Sequence, residues 1–308
     1  MKKFVLGLGA QRAGTTFLHH TLSKLKNSVA PLVKEMHIWD ALEIELCKKW
    51  RIYNPEYLSF PNKELLKKLV NKDEMASINN SIIIRGTRMD FQNSPYKYFD
   101  YFNYLLENFK QDLTFDITPE YIGLKSETLN MINENFANKN IDCKFILIIR
   151  DPVERCWSAV KSKFKKSEKL SLDQIRYTHI NEAVDPSIPI NESMIKYSKS
   201  ADAIFRTDYK KIIERLKKLF DKEKYLILIY EDLEKKDIFN KLGEFLDIDF
   251  SYLNTNLLGK KINASNQEKL DENLRKEIAP LFMDTYRYCA KELPETKKYW
   301  QGYKYIDL

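Results

Sequence analysis

Cysteine is scarce. Four are spread over 308 residues, at Cys47, Cys143, Cys156 and Cys289. They form no CxxC pair and no zinc spacing, which excludes a metal finger and a thioredoxin-like redox site. Nothing in the spacing suggests a disulfide framework, so a reducing compartment is the simplest reading. Cys143 lies in an apolar run and reads as a small core residue. The chain also lacks any apolar stretch near the roughly 20 residues of a membrane-spanning helix. It starts directly on a strand-like run with no signal-peptide pattern, and the expectation is a cytoplasmic protein without a transmembrane segment. There is no basic tail and no Arg-rich block. The 51 Lys and Arg exceed the 44 Asp and Glu by only seven, and the signs are interspersed. That argues against a nucleic-acid partner but leaves room for an anionic small ligand. Repeats, low-complexity tracts and clear linkers are absent too, so residues 1–308 are expected to form one domain.

What is present is a real core: 44% of residues are hydrophobic and 13% aromatic. Short apolar runs alternate with amphipathic segments. Strands are expected at Phe4–Leu8, Asn27–Val33, Leu113–Ile117, Lys144–Ile149 and Tyr225–Tyr230, with a further β-prone run at Ser81–Arg85. Helices are expected at Thr15–Leu25, Asp40–Lys49, Asn62–Val70, Pro95–Phe109, Glu127–Phe136, Leu172–Val184, Tyr197–Phe220, Phe239–Leu246 and Glu268–Leu293, the last broken at Pro280. Asp151 and Pro152 mark the start of another helix, as cap and first-turn residue. Phe250–Gln267 has loop character. This alternation predicts an α/β fold, a P-loop-like parallel sheet flanked by helices on both faces. Such sheets bind ligands at the carboxyl ends of their strands.

Three stretches carry residues suited to chemistry. In the first, Gly9-Ala10-Gln11-Arg12-Ala13-Gly14-Thr15-Thr16 links a strand to a helix with the G-x4-G spacing of a phosphate loop. Loop amides and the helix N-terminus favour an anion there. Thr15 stands where an ATPase has its lysine, and Arg12 supplies a cation elsewhere in the loop. A ligand-free glycine turn, with Thr15 or Thr16 as a helix cap, is the alternative. In the second, Arg150 leaves a buried strand and Ser158 follows about two helical turns later. The pair could clamp a second phosphate, or Arg150 could form a salt bridge with Asp151 or Glu154. In the third, Lys34-Glu35-Met36-His37 could do acid–base work beside the loop, or be a solvated charged turn. His19 and His20 lie on the first helix and are expected to pack or face solvent.

Together these stretches resemble the sulfotransferases that use 3′-phosphoadenosine 5′-phosphosulfate (PAPS), and within them the glycan branch, such as the heparan sulfate N- and 3-O-sulfotransferases. GAQRAGTTFL resembles the family's 5′-phosphosulfate loop. IIRDPVERCWSAV resembles its 3′-phosphate segment, with Arg150 and Ser158 at the family's Arg and Ser. KEMHIWD is similar to the branch's KExHFFD, DITPEY to E-K-[ST]-P-x-Y, and YLILIYEDL to a late strand ending in E-x-L. The resemblance implies PAPS as co-substrate and no metal. Gln11, Arg12, Ala13, Gly14, Thr15 and Thr16 would hold the 5′-phosphosulfate end. Arg150 and Ser158 would hold the 3′-phosphate. Glu35 would be the general base, with Arg12, His37 and Lys34 assisting. Arg12 stands where the family usually has a catalytic lysine, and Ile117 replaces a lysine common in the glycan branch. Lys260 or Lys261, in a late basic loop, would compensate. The expected acceptor is a hydroxyl, less so an amine, of a carbohydrate; a lipid, metabolite or tyrosyl peptide stays open. A P-loop small-molecule kinase and a non-catalytic nucleotide-binding protein are the alternatives, the first disfavoured by the missing Walker lysine.

Overall fold

In the computed structural model, residues 1–52, 84–167, 184, 187–235, 237–253 and 270–307 are described. Four parallel strands form the sheet in the order β2-β1-β3-β4: β1 (Lys2–Gly9), β2 (Leu113–Ile117), β3 (Ile141–Ile149) and β4 (Tyr225–Ile229). Every residue of β2, and of β1 from Lys3 on, is buried. Consecutive residues point to opposite faces of a strand, so both faces are covered. The chain leaves β1 towards β2 on one side and later returns to β3 on the other. The order therefore reverses at β1, and the loop after Gly9 opens at the switch point.

The helices around the sheet are α1 (Thr15–Ser23), α2 (Trp39–Glu43), α3 (Tyr96–Asn108), α4 (Ser126–Ala137), α5 (Pro152–Ser167), α6 (Ile190–Ser198), α7 (Ala201–Thr207), α8 (Tyr209–Leu219), α9 (Asp237–Leu246), α10 (Glu272–Ile278) and α11 (Met283–Glu292). The aromatic run of α3 has a plain use. Tyr98, Phe99 and Phe102 lie on its buried face and meet Phe4 of β1 and Phe136 of α4, with Phe4 and Phe136 stacked at 4.0 Å. Burying each such ring contributes about 1.5–3 kcal/mol. At Gly7 the β1 backbone runs so close to β2 that a Cβ would lie 2.6 Å from Ile117 Cδ1. All four cysteines are free and buried. No helix among the described residues is long and apolar enough to cross a membrane.

Several expected elements take another form. Asn27–Val33 is not a strand. It touches β2 through one bridge, Ser28 to Leu113, and then diverges, because Pro31 has no N–H to extend a ladder. The stretch Tyr197–Phe220 is not one helix but the end of α6 followed by α7 and α8. Ser200 Oγ accepts from Ala203 N–H and Asp208 Oδ1 from Lys211 N–H, so each side chain starts a new helix. Asp40–Lys49 divides into α2 and a 3-10 turn, Glu45–Trp50. Residues 84–93 are helical, which removes the end of the β-prone run. The helices expected at Asn62–Val70 and across residues 172–183, and most of the loop Phe250–Gln267, lie outside the described residues.

Asp151 caps α5 as its sequence position suggests, accepting from Val153 N–H at 2.9 Å. It also accepts from the Tyr286 hydroxyl at 2.6 Å and Gly302 N–H at 3.1 Å, tying the C-terminal segment to the end of β3. Replacing Asp151 with Ala strands all three buried donors. The expected loss is about 2–4 kcal/mol of stability, read as a lower urea midpoint at unchanged slope.

Candidate active site

The carboxyl ends of the four strands meet the three motif stretches. Gly14 is the cap residue of α1, at φ 96°, and a Cβ there would come 2.4 Å from Leu233 Cδ1. Glycine is therefore required both by the left-handed backbone and by the close approach of the segment after β4. Neither Thr15 nor Thr16 caps α1, so both hydroxyls are released from that role. The first amides of α1 have no partner within the helix. Ala13 is buried and its N–H closes the turn on Ala10 O at 3.1 Å, so Ala13 shapes the loop rather than lending an amide to it.

Arg12 lies across this loop at φ 67°, and its Nε donates to Ser158 Oγ at 3.2 Å. Arg150 Nη1 donates to the Arg12 carbonyl at 3.0 Å, while its guanidinium sits over the Tyr230 ring, 4.2 Å from the centroid. Among the described residues Arg150 keeps only a 3.9 Å ion pair with Glu154, which pairs more closely with Arg275 at 2.9 Å. Asp151 faces Tyr286 and Gly302 instead. Burial, then the charge of Arg150, push the Arg12 guanidinium below its ordinary pKa. The crowding of two guanidiniums and a hydroxyl at a helix N-terminus calls for an anion. Arg150 Nε is buried with no hydrogen-bond partner among the described residues. Together with the Gly14 cradle, that orphaned donor fits a phosphate-bearing ligand.

The KEMH stretch packs against the same loop. Lys34 Nζ donates to Thr16 Oγ1 at 3.2 Å and lies 3.8 Å from Glu35 Oε1. Glu35 and His37 both adopt left-handed backbone, φ 57° and 53°. With Arg12, they are half of the six non-glycine residues in that region among those described, a concentration typical of functional sites. His37 is not in a solvated turn. It is 1% exposed, stacked on Trp50 at 3.9 Å, and its Nδ1 donates to Asp40 Oδ2 at 2.7 Å. Its Nε2 lies 3.8 Å from Glu35 Oε2. Burial alone would lower the His37 pKa, but the hydrogen bond to Asp40 and the close carboxylates of Glu35 and Glu120 outweigh it and raise it to about 9. His37 is thus an imidazolium at neutral pH. Burial likewise tends to raise the Glu35 pKa, but the nearby His37, Lys34 and Arg88 prevail and hold the carboxyl below its ordinary range.

Four residues at this site escape the sequence reading. Asp40 closes KEMHIWD three positions after His37, a spacing that could have identified it. Glu120 sits between Pro119 and Tyr121 on the turn after β2, its Oε2 4.0 Å from His37 Nδ1. Arg88 donates to the Glu35 carbonyl at 2.7 Å and the Met36 carbonyl at 3.1 Å from more than 50 residues away, and no local pattern marks it. Asp116 accepts from the hydroxyls of Tyr98, Thr118 and Tyr121 at 2.7–2.9 Å and from Met36 N–H at 3.4 Å, pinning KEMH to the β2 end. Ile117 is buried on Gly7 and brings no cation. His19 packs edge-on against Phe115, and burial lowers its pKa to about 4. Lys260 and Lys261 lie outside the described residues.

A family model described as the sulfotransferase domain matches residues 3–281. The chain belongs to the sulfotransferase family. The sheet and its flanking helices are the sulfotransferase fold, and the family's reaction is sulfuryl transfer. Among solved structures, a sulfotransferase from Alicyclobacillus acidocaldarius aligns at 15% identity over 94% of this chain and 95% of its own, with a TM-score of 0.48. The sulfotransferase domain from the curacin biosynthetic pathway aligns at 18% identity over 94% and 97%, TM-score 0.45. The sulfotransferase domain from the Synechococcus PCC 7002 olefin synthase aligns at 18% identity over 97% and 94%, TM-score 0.41. No curated protein matches the sequence significantly.

Proposed function

We propose that this sulfotransferase uses PAPS and transfers its sulfuryl group to an acceptor hydroxyl, with Glu35 as general base. The observation that supports this best is the meeting of the three stretches: Lys34 on Thr16 joins the acid–base turn to the loop, and Arg12 on Ser158 joins the loop to α5. Gln11, Gly14, Thr15 and Thr16 would hold the 5′-phosphosulfate end. Arg150 and Ser158 would hold the 3′-phosphate, with Arg12 between the two ends. PAPS, when bound, supplies an activated sulfuryl group whose leaving group is 3′,5′-ADP. Glu35 is ionised at neutral pH and takes the acceptor's proton; His37 and Lys34 fix its orientation; Arg12 steadies charge developing on the leaving group. A carbohydrate acceptor rests on the likeness of KEMHIWD to the glycan branch. The indole of Trp50 under His37 is compatible with it.

3′,5′-ADP is expected to raise the thermal midpoint by several degrees, 5′-AMP clearly less, and ATP with magnesium least. Equal shifts from 3′,5′-ADP and 5′-AMP would remove Arg150 and Ser158 as a 3′-phosphate site. Transfer itself is tested by incubating the protein with isotopically labelled PAPS and panels of glycan, lipid and phenolic acceptors, and reading the mass of a sulfated product.

A further inference from the structure

The base and its histidine rest on a buried charge cluster that their motif does not contain. Glu120 side-chain atoms are 5% exposed, and Oε1 accepts from Arg206 Nη1 at 2.6 Å. Arg206, 2% exposed, also donates from Nε to both oxygens of Asp202 at 3.0 Å. Gln11 Nε2 of the phosphate loop reaches the same Glu120 oxygen at 3.5 Å, the outer limit of a hydrogen bond. The other oxygen, Oε2, is buried with no hydrogen-bond partner among the described residues and lies 4.0 Å from His37 Nδ1. Asp40 Oδ1 is equally buried and unpartnered beside the same ring. Two carboxylates, Glu120 and Asp202, therefore share one guanidinium. Their surplus negative charge faces His37 from the side away from Glu35.

An unpaired carboxylate oxygen in the interior is costly unless a cation answers it. His37 as an imidazolium is that cation: it sits between Asp40 and Glu120 on one side and Glu35 on the other. Around the His37 ring and its carboxylates stand Glu35 and Lys34 from its own turn, Asp40 from α2, and Cys47 and Lys49 from the 3-10 turn after α2. Arg88 comes from residues 84–93, Asp116, Glu120 and Tyr121 from β2 and the turn after it, and Arg206 from α7. Among them Glu120 is the carboxylate that also answers to Arg206 and the phosphate loop.

We propose that Glu120, clamped by Arg206, is a positioning residue for sulfuryl transfer: it holds His37 in its cationic form with Nε2 presented to Glu35, and sets that pair in register with the phosphate loop through Gln11. The inference rests on Glu35 as base. Its consequence is specific. Without the Glu120 charge, His37 loses its proton at lower pH, whereas in the acid range where Glu35 titrates the ring stays protonated. The active pH window then narrows from its basic side.

Glu120→Gln keeps an acceptor for Arg206 and removes only the charge. The expected result is kcat reduced about tenfold or more at neutral pH through lost positioning, with 3′,5′-ADP affinity little changed and the basic limb of the pH–rate profile moved to lower pH. A separate reading needs no turnover. With only four histidines, ring nitrogen NMR on 15N-histidine protein follows His37, assigned by its loss in His37→Gln. Its midpoint should fall by about one unit in Glu120→Gln, the effect of removing one nearby opposite charge. Asp202→Asn, which leaves Arg206 less neutralised, should lower it by a smaller amount and serves if Glu120→Gln does not fold. A uniform loss of rate with the basic limb in place would mean a merely structural role and overturn the proposal. So would an unmoved His37 midpoint in whichever variant folds, or wild-type activity abolished by a chelator and restored by a divalent cation. If Glu35→Gln were fully active while the His37 midpoint still shifted, the assignment of the base would fail and the Glu120–His37 coupling would stand.

Discussion

Glu35→Gln is expected to lower kcat by about 10²–10⁴-fold while leaving 3′,5′-ADP binding near its wild-type strength. The carboxylate is the group in the KEMH turn able to take a proton. Its neighbour His37 is an imidazolium at neutral pH and does not substitute for it. The amide keeps the shape and the contact with His37, so folding should survive. Because the Glu35 carboxyl is held below its ordinary range, the acid limb of wild-type activity should begin falling only in clearly acidic solution. His37 supplies the opposite limb, with activity declining as pH rises through about 9. The same value fixes the sign of a stability effect. The ring's folded pKa lies above its unfolded value, so its contribution is complete below about 6.5 and is lost as pH climbs through about 9. Denaturant midpoints measured across that range should therefore fall, and His37→Gln should flatten the fall. Retained activity in Glu35→Gln would remove Glu35 as the base and leave the nucleotide site untouched.

The parts of this molecule visible in sequence are those fixed by local rules. The run KFILII could only be a buried strand, and Asp151-Pro152 after it could only open a helix; both do. GAQRAGTT carries its own turn chemistry, and its Gly14 takes the left-handed backbone that such a loop demands. Elements that local rules left ambiguous took other forms. Tyr197–Phe220 has helical periodicity throughout, yet Ser200 and Asp208 compete as caps and divide it. At the site, Lys34, Glu35, His37, Arg150 and Ser158 could be named because they lie in short motifs. Arg88 and Arg206 could not. Arg88 meets Glu35 and Met36, and Arg206 meets Glu120, from more than 50 residues away, and a buried arginine looks like any other arginine until the fold closes over it. Asp40 was within reach, since a carboxylate three residues after a histidine on a short helix is well placed to accept its Nδ1 proton. Glu120 was not, because its value comes from Arg206 and His37 arriving from different elements.

Arg12→Ala should reduce kcat by about 10²–10³-fold, the usual cost of losing a cation or donor aimed at developing charge. It should cost little stability, because burial already disfavours the guanidinium and Arg150 repels it. The informative comparison is Arg12→Lys, which restores the residue the family usually carries at this place. Arg12 holds Ser158 through Nε while its carbonyl accepts from Arg150, so the side chain lies between the two ends of the proposed PAPS site. A lysine keeps the charge but offers a single compact ammonium with freely turning donors in place of the fixed guanidinium fork. If Arg12 acts through charge alone, Arg12→Lys recovers most of the rate lost in Arg12→Ala. If the fork matters, Arg12→Lys recovers nucleotide affinity but not kcat, because an ammonium reaching Ser158 no longer covers the bond that breaks. Ser158→Ala separates the two. It frees Nε of Arg12 without touching its charge, so it should weaken 3′,5′-ADP binding while leaving kcat at saturating PAPS close to wild type. A kcat collapse in Ser158→Ala equal to that of Arg12→Ala would instead show that Arg12 works only when the serine holds it. The left-handed backbone at Arg12 would then be the means by which the loop delivers that side chain to α5.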